Sequence, residues 1–212
     1  MVMQDKHEWR KKEKALYLPK NKPEVIDIPE FKFITIEGEG SPADSVFTDY
    51  IGALYSLAYT IKMMPKKMDR QPKGYFDFTV YPLEGVWDIN DKAKANFKGR
   101  INKEDLVYKL MIRQPDFVSE NFYSEMLEVA KEKKKNPLLE QINFERPSER
   151  RCVQMLHLGP FEDEPASFEI MEGFAKSEGV VRLSKIHREI YLSDHRKVAP
   201  EKLKTVLRFQ VN

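Results

Sequence analysis

One short run holds three side chains suited to chemistry. In Lys185–Leu192 (KIHREIYL) an extended chain alternates its side chains, so His187, Glu189 and Tyr191 share one face, and Ile186, Arg188, Ile190 and Leu192 the other. A carboxylate in mid-strand between an imidazole and a phenol can pair with a cationic ligand, accept hydrogen bonds, or act as a general base toward water. In apolar surroundings, desolvation raises its pKa into a useful range. The plainer alternative is a half-exposed glutamate paired with a neighbouring Lys or Arg, and His187 equally fits a structural role. Trp87 is the second candidate. It follows Tyr81-Pro-Leu-Glu-Gly-Val86, where Pro82 and Gly85 are expected to break a strand and project the indole from a bend. With Tyr75 and Tyr81 it offers flat faces to a planar or cationic ligand, each good contact contributing on the order of 1–2 kcal/mol. Each of these rings also fits an ordinary core.

These residues need strands and helices to hold them. Phe31–Glu37 is β-branched and aromatic and stops at Gly38 and Gly40, as a strand entering a turn does. A helix is expected from Ser41-Pro42-Ala43-Asp44, with Phe47, Ile51, Leu54, Ala58 and Ile61 at helical spacing and Pro65 as its end. Tyr75–Tyr81 alternates like a strand, and a second strand is expected at Leu106–Ile112. That order is β-α-β-β, over about residues 28–113. A connecting helix over about 117–135 is capped at Ser119, carries Phe122, Met126 and Val129, and closes on a lysine run that reads as its solvated end. From about 151 to 212 the order repeats: a strand at Cys152–Leu158, a turn at Gly159-Pro160, a helix marked by Pro165, Phe168, Met171 and Ala175 with Gly179 as its stop, then strands at Lys185–Leu192 and Lys204–Val211. The expected class is α+β, two pseudo-symmetric β-α-β-β units, with helices on one side and a ligand groove on the other.

Composition excludes several classes of function. The chain is 41% hydrophobic and 11% aromatic, enough for a core, and its 36 Lys and Arg nearly balance 34 Asp and Glu, so no broad field attracts nucleic acid. The single cysteine, Cys152, excludes an intramolecular disulfide and any cysteine-built zinc site, which suits a reducing, cytoplasmic setting. No apolar run approaches the roughly 18–20 residues that cross a bilayer, and the first residues are charged where a signal peptide is apolar. Residues 1–23 read as a charged arm in which Glu8 and Glu13 interrupt the basic residues, while Trp9 and Tyr17 suggest docking. There is no P-loop, strand-GxGxxG-helix, HExxH or GxSxG, and His7, His157, His187 and His195 lack metal-ligand spacing. Neither metal nor cofactor is expected.

Several strings resemble one family: FITIEGEGSP, YPLEGVW (81–87), MIRQPDFV (111–118), HLGPFEDEPAS (157–167), HREIYLSD and PEKLKTVLR. Together they resemble the GyrI-like small-molecule-binding proteins, from about Tyr17 to the C-terminus. The resemblance implies paired β-α-β-β units around a central cleft, with a buried glutamate at Glu189. Such domains often sit behind a DNA-binding helix-turn-helix in drug-sensing regulators. About two dozen residues precede the first unit here, so no direct nucleic-acid binding is expected. PLEGVW and HREIYLSD resemble a stand-alone subfamily that hydrolyses the strained cyclopropane rings of planar DNA-alkylating natural products in an aromatic cage. By motif position, Trp87, Tyr75, Tyr81, Phe161 and Tyr191 would form the cage. Glu189 would orient or deprotonate the attacking water, and Tyr191 would stabilise the developing oxyanion. Thr79, Met111, Phe168 and His187 would line the same site. His195 departs from the family, whose members usually carry proline after Ser-Asp. The alternative is a non-catalytic drug-sequestering module or an inhibitor-type interaction protein. In each case the expected partner is a small molecule, without a membrane, and the expected state a monomer or weak homodimer.

Overall fold

A computed structural model describes residues 6–194 and 196–212; His195 lies outside the described residues. In chain order the elements are α1 (Trp9–Lys12), α2 (Lys14–Tyr17), β1 (Glu24–Ile28), β2 (Lys32–Glu39), α3 (Ser45–Met63), β3 (Leu83–Ile89), α4 (Asp91–Ala95), β4 (Leu106–Gln114), α5 (Glu120–Lys133), β5 (Asn143–Glu145), β6 (Arg150–Leu158), α6 (Glu164–Ser177), β7 (His187–Tyr191) and β8 (Lys204–Gln210). The protein is mixed α+β with antiparallel ladders. Of the described residues, two compact units share the chain: unit I comprises 6–9, 31–81 and 89–147, and unit II comprises 10–30, 82–88, 148–194 and 196–212.

In unit I, β2 lies between β4 and β5, with Ile34 opposite Ile112 and Phe144. Helix α3 buries Phe47, Leu54, Ala58 and Ile61 of the stripe expected from sequence, together with Leu57, while Ile51 of that stripe is half-buried. It begins at Ser45, later than Pro42, because Ser41 Oγ accepts the amide of Ala43 (3.3 Å) and closes a turn first. Ser119 caps α5 as expected, its Oγ accepting from Phe122 N at 3.1 Å.

The expected strand at Tyr75–Tyr81 does not form. Its ladder contact is a single bridge between Phe78 and His7, and the strand lies later, at β3. The alternation has another cause. Tyr75, Phe76 and Phe78 pack edge-on around Phe117, while the Asp77 carboxylate between them is held by Lys62 (3.2 Å) and Lys66 (2.8 Å).

Unit II is a five-stranded antiparallel arrangement, β1-β6-β8-β7-β3. Helix α6 covers one face, where Met171 and Ala175 pack with Val153, Met155, Leu207 and Phe209, each large side chain contributing roughly 1.5–3 kcal/mol by burial. Gly179 (φ +70°) takes the left-handed conformation that stops this helix. The opposite face buries charge. Arg188 meets Glu84 (2.8 Å) and Glu149 (3.0 Å), and Arg208 meets Glu149 (3.2 Å), Gln154 Oε1 (2.9 Å) and the carbonyl of Leu16 (2.9 Å). Burial lifts the Glu84 carboxyl above the usual carboxylate range against the opposing pull of Arg188 and Arg208. This network fixes β7 from behind, so the residues alternating with Arg188 face α6.

Candidate active site

β7 supplies three of the site's side chains on one face. Tyr191 Oη donates to Glu189 Oε2 at 2.7 Å, and His187 Nε2 lies 3.1 Å from Glu189 Oε1. Glu189 is 8% exposed, and each of its oxygens has one neighbour from its own strand, which leaves further acceptor capacity. Phe168 of α6 packs against the His187 ring with centroids 4.7 Å apart, and Phe161 meets Tyr191 edge-on at 6.0 Å.

Trp87 stands in β3 opposite His187, buried, and not on a projecting bend. Pro82 precedes the strand and Gly85 lies within it, so the expected break is absent. Gly85 serves the site differently. It pairs with Glu189 in the ladder, and a Cβ there would lie 2.7 Å from Trp87 Nε1 and 3.2 Å from Tyr191 Oη. The missing side chain leaves the space in which the indole N–H donates to the tyrosine oxygen at 2.8 Å.

Sequence reasoning missed Glu164, the first residue of α6, 6% exposed and hydrogen-bonded to Glu189. Burial first, and then the negative charge of Glu189, lift the Glu164 carboxyl far above the usual range, so it keeps its proton and donates to its partner. Two carboxyls sharing one proton is the arrangement by which one acts as base while the other acts as acid. Burial and Glu189 likewise push the Tyr191 phenol well above its ordinary value, so it remains a donor. The signal was present in the sequence: Glu164 stands four residues before Phe168 and seven before Met171, on the helix's inward stripe. The strand next to it adds a serine–histidine contact, with His157 Nδ1 2.8 Å from Ser167 Oγ and Nε2 3.0 Å from the carbonyl of Pro160.

Unit II thus brings together Glu189, Tyr191, Trp87, His187, Phe161 and Phe168 of the residues selected from sequence. Tyr75, Thr79, Tyr81 and Met111 belong to unit I. There Tyr75 packs on Phe117, Tyr81 stacks beneath the Arg113 guanidinium at 4.6 Å, the Thr79 amide donates to the His7 carbonyl, and Met111 is buried opposite Thr35.

Residues 21–212 match the family described as GyrI-like small molecule binding domain. The chain belongs to that family. An uncharacterized conserved protein from Listeria innocua is 38% identical to this GyrI-like chain, with a TM-score of 0.87 over 98% of this chain and 100% of its own. A protein described as a hydrolase from Listeria innocua is 37% identical with the same coverage and TM-score. The C-terminal domain of EcmrR, 15% identical, shares the fold at a TM-score of 0.51 over 90% of this chain and 97% of its own. No curated protein matches the GyrI-like chain at a significant level. Among the described residues, no helix is long and apolar enough to cross a membrane.

Proposed function

We propose that the unit II site binds small planar molecules, hydrophobic or cationic, and hydrolyses the strained cyclopropane ring of DNA-alkylating compounds. The observation carrying this reading is the hydrogen-bonded series Trp87–Tyr191–Glu189–Glu164, buried save for a partly exposed Tyr191, beside Phe161 and Phe168. The rings supply flat contacts and the carboxylate selects positive charge or activates water. In the reaction, Glu189 takes a proton from water as the water oxygen bonds to a ring carbon. The carbon–carbon bond of the cyclopropane breaks, and its electron pair moves to the conjugated carbonyl oxygen of the compound. That oxygen is neutralised by the Glu164 proton, and the proton on Glu189 crosses the carboxyl–carboxylate hydrogen bond to restore the pair. One water is added and no cofactor is consumed. Tyr191, whose hydroxyl proton is engaged by Glu189, holds the carboxylate in orientation in this scheme, and the developing oxyanion is left to the acid.

The 37% identity to a Listeria protein described as a hydrolase supports the catalytic reading. The second reading, sequestration without chemistry, draws on the single negative charge shared by Glu189 and Glu164, which suffices to hold a cation. Incubation of a cyclopropane-containing alkylator with purified protein, followed by mass spectrometry, separates the two. Many equivalents of hydrated, ring-opened product per protein, lost in Glu189→Gln, are expected. At most one equivalent, with binding retained, would leave a sequestering protein.

A further inference from the structure

A second place in the molecule has the opposite electrical character. In unit I, Ile89, α4 and the loop that follows border an open recess of about 500 Å³, a volume ordinary for small-molecule sites. Gly99 turns this loop at φ +84°, with nothing within 4 Å of where a Cβ would stand. Around that turn the sequence Phe97-Lys98-Gly99-Arg100-Ile101 is nearly mirror-symmetric in character, and the four residues flanking the glycine all line the recess. Phe97 and Ile101 are 54% and 55% exposed, and an apolar pair opening into one concavity is a different matter from single surface hydrophobics.

The rim is cationic. Lys92, Lys98 and Arg100 line it and form no ion pair among the described residues, whereas Lys62, Lys109 and Lys131 of the same unit each hold a carboxylate. The one carboxylate in the lining, Asp105, is engaged by the Asn90 amide at 3.4 Å. An anion facing Lys98 and Arg100 meets two exposed cations that hold no carboxylate among the described residues, and a wholly polar anion would make no use of Phe97 and Ile101.

We propose that this recess is a second ligand site that takes a small amphipathic anion: an aromatic or alkyl body against Phe97 and Ile101, and one sulfonate, carboxylate or phosphate facing Lys98 and Arg100. The site stands apart from the carboxylate chemistry of unit II and does not depend on it.

Two dyes that differ in a sulfonate test it: 8-anilinonaphthalene-1-sulfonate and its uncharged parent N-phenyl-1-naphthylamine, titrated by fluorescence against the intact chain. The anionic dye is expected to bind at one equivalent. Lys98→Gln and Arg100→Gln should each weaken it about fivefold while leaving the neutral dye unchanged, and Phe97→Ser should weaken both. All three substitutions are on exposed positions, so far-UV circular dichroism should stay at wild type. The proposal is overturned if the anionic dye ignores all three variants, if both dyes respond equally to the charge variants, or if its affinity moves with Glu189→Gln and not with Phe97→Ser. It is equally overturned if no dye binds and the wild type self-associates through this face, with Phe97→Ser monomeric.

Discussion

Replacing Glu164 by glutamine should stabilise the fold, by an amount that grows with pH. The carboxyl is 6% exposed, and burial, then Glu189, raise its folded-state pKa above the ordinary 4.5. A group whose pKa rises on folding binds its proton more tightly in the native state. Its contribution to stability is complete below the unfolded value and is lost as pH climbs toward the folded one. Each pH unit above 4.5 at which the buried group still holds its proton therefore costs the wild type about 1.4 kcal/mol. Glutamine keeps an N–H donor for Glu189 and has no proton to retain. From pH 5 to pH 8 the advantage of Glu164→Gln over wild type should widen by up to about 4 kcal/mol. Urea unfolding of both proteins at each pH, at constant ionic strength, measures it directly. Parallel stability profiles across that range would refute the shared-proton account of the pair.

Two further perturbations probe the supports of the site. Gly85→Ala places a Cβ 2.7 Å from Trp87 Nε1; it should cost about 1–3 kcal/mol and shift the emission of Trp87, one of two tryptophans, and unchanged stability and emission would show that the close approach carries no constraint. Arg188→Met strands the buried carboxylate of Glu84 and leaves Glu149 with Arg208 alone; a loss of about 3–5 kcal/mol in urea unfolding is expected, and a loss under 1 kcal/mol would show that β7 is not held by this network.

What the sequence made legible was local and periodic. The inward face of β7 follows from alternation alone, α3 and α5 from their apolar stripes and, for α5, the Ser119 cap. What it concealed depended on distant partners. Tyr75–Tyr81 alternates because rings gather on Phe117 and Asp77 meets two lysines, and a period of two records that as readily as a strand. Gly85 reads as a breaker until Trp87 and Tyr191 are seen to fill its space. Glu164 follows Glu162 and Asp163 at a helix start, where acids are already explained by the helix dipole, so its spacing to Phe168 and Met171 on the inward stripe is the one signal that sets it apart. Strands β1 and β5 are short, five and three residues, and are defined by their ladders with β6 and β2.

In both readings of the proposed function Glu189, among aromatic rings, supplies the negative charge that selects a planar cation. Equilibrium binding of N-methylacridinium and of neutral acridine at pH 8, to wild type and Glu189→Gln, tests it most directly. Tighter binding of the cation by wild type is expected, with a loss in the variant of about tenfold or more for the cation and the neutral ring little changed; equal losses for both, or none for either, would rule out charge selection by Glu189.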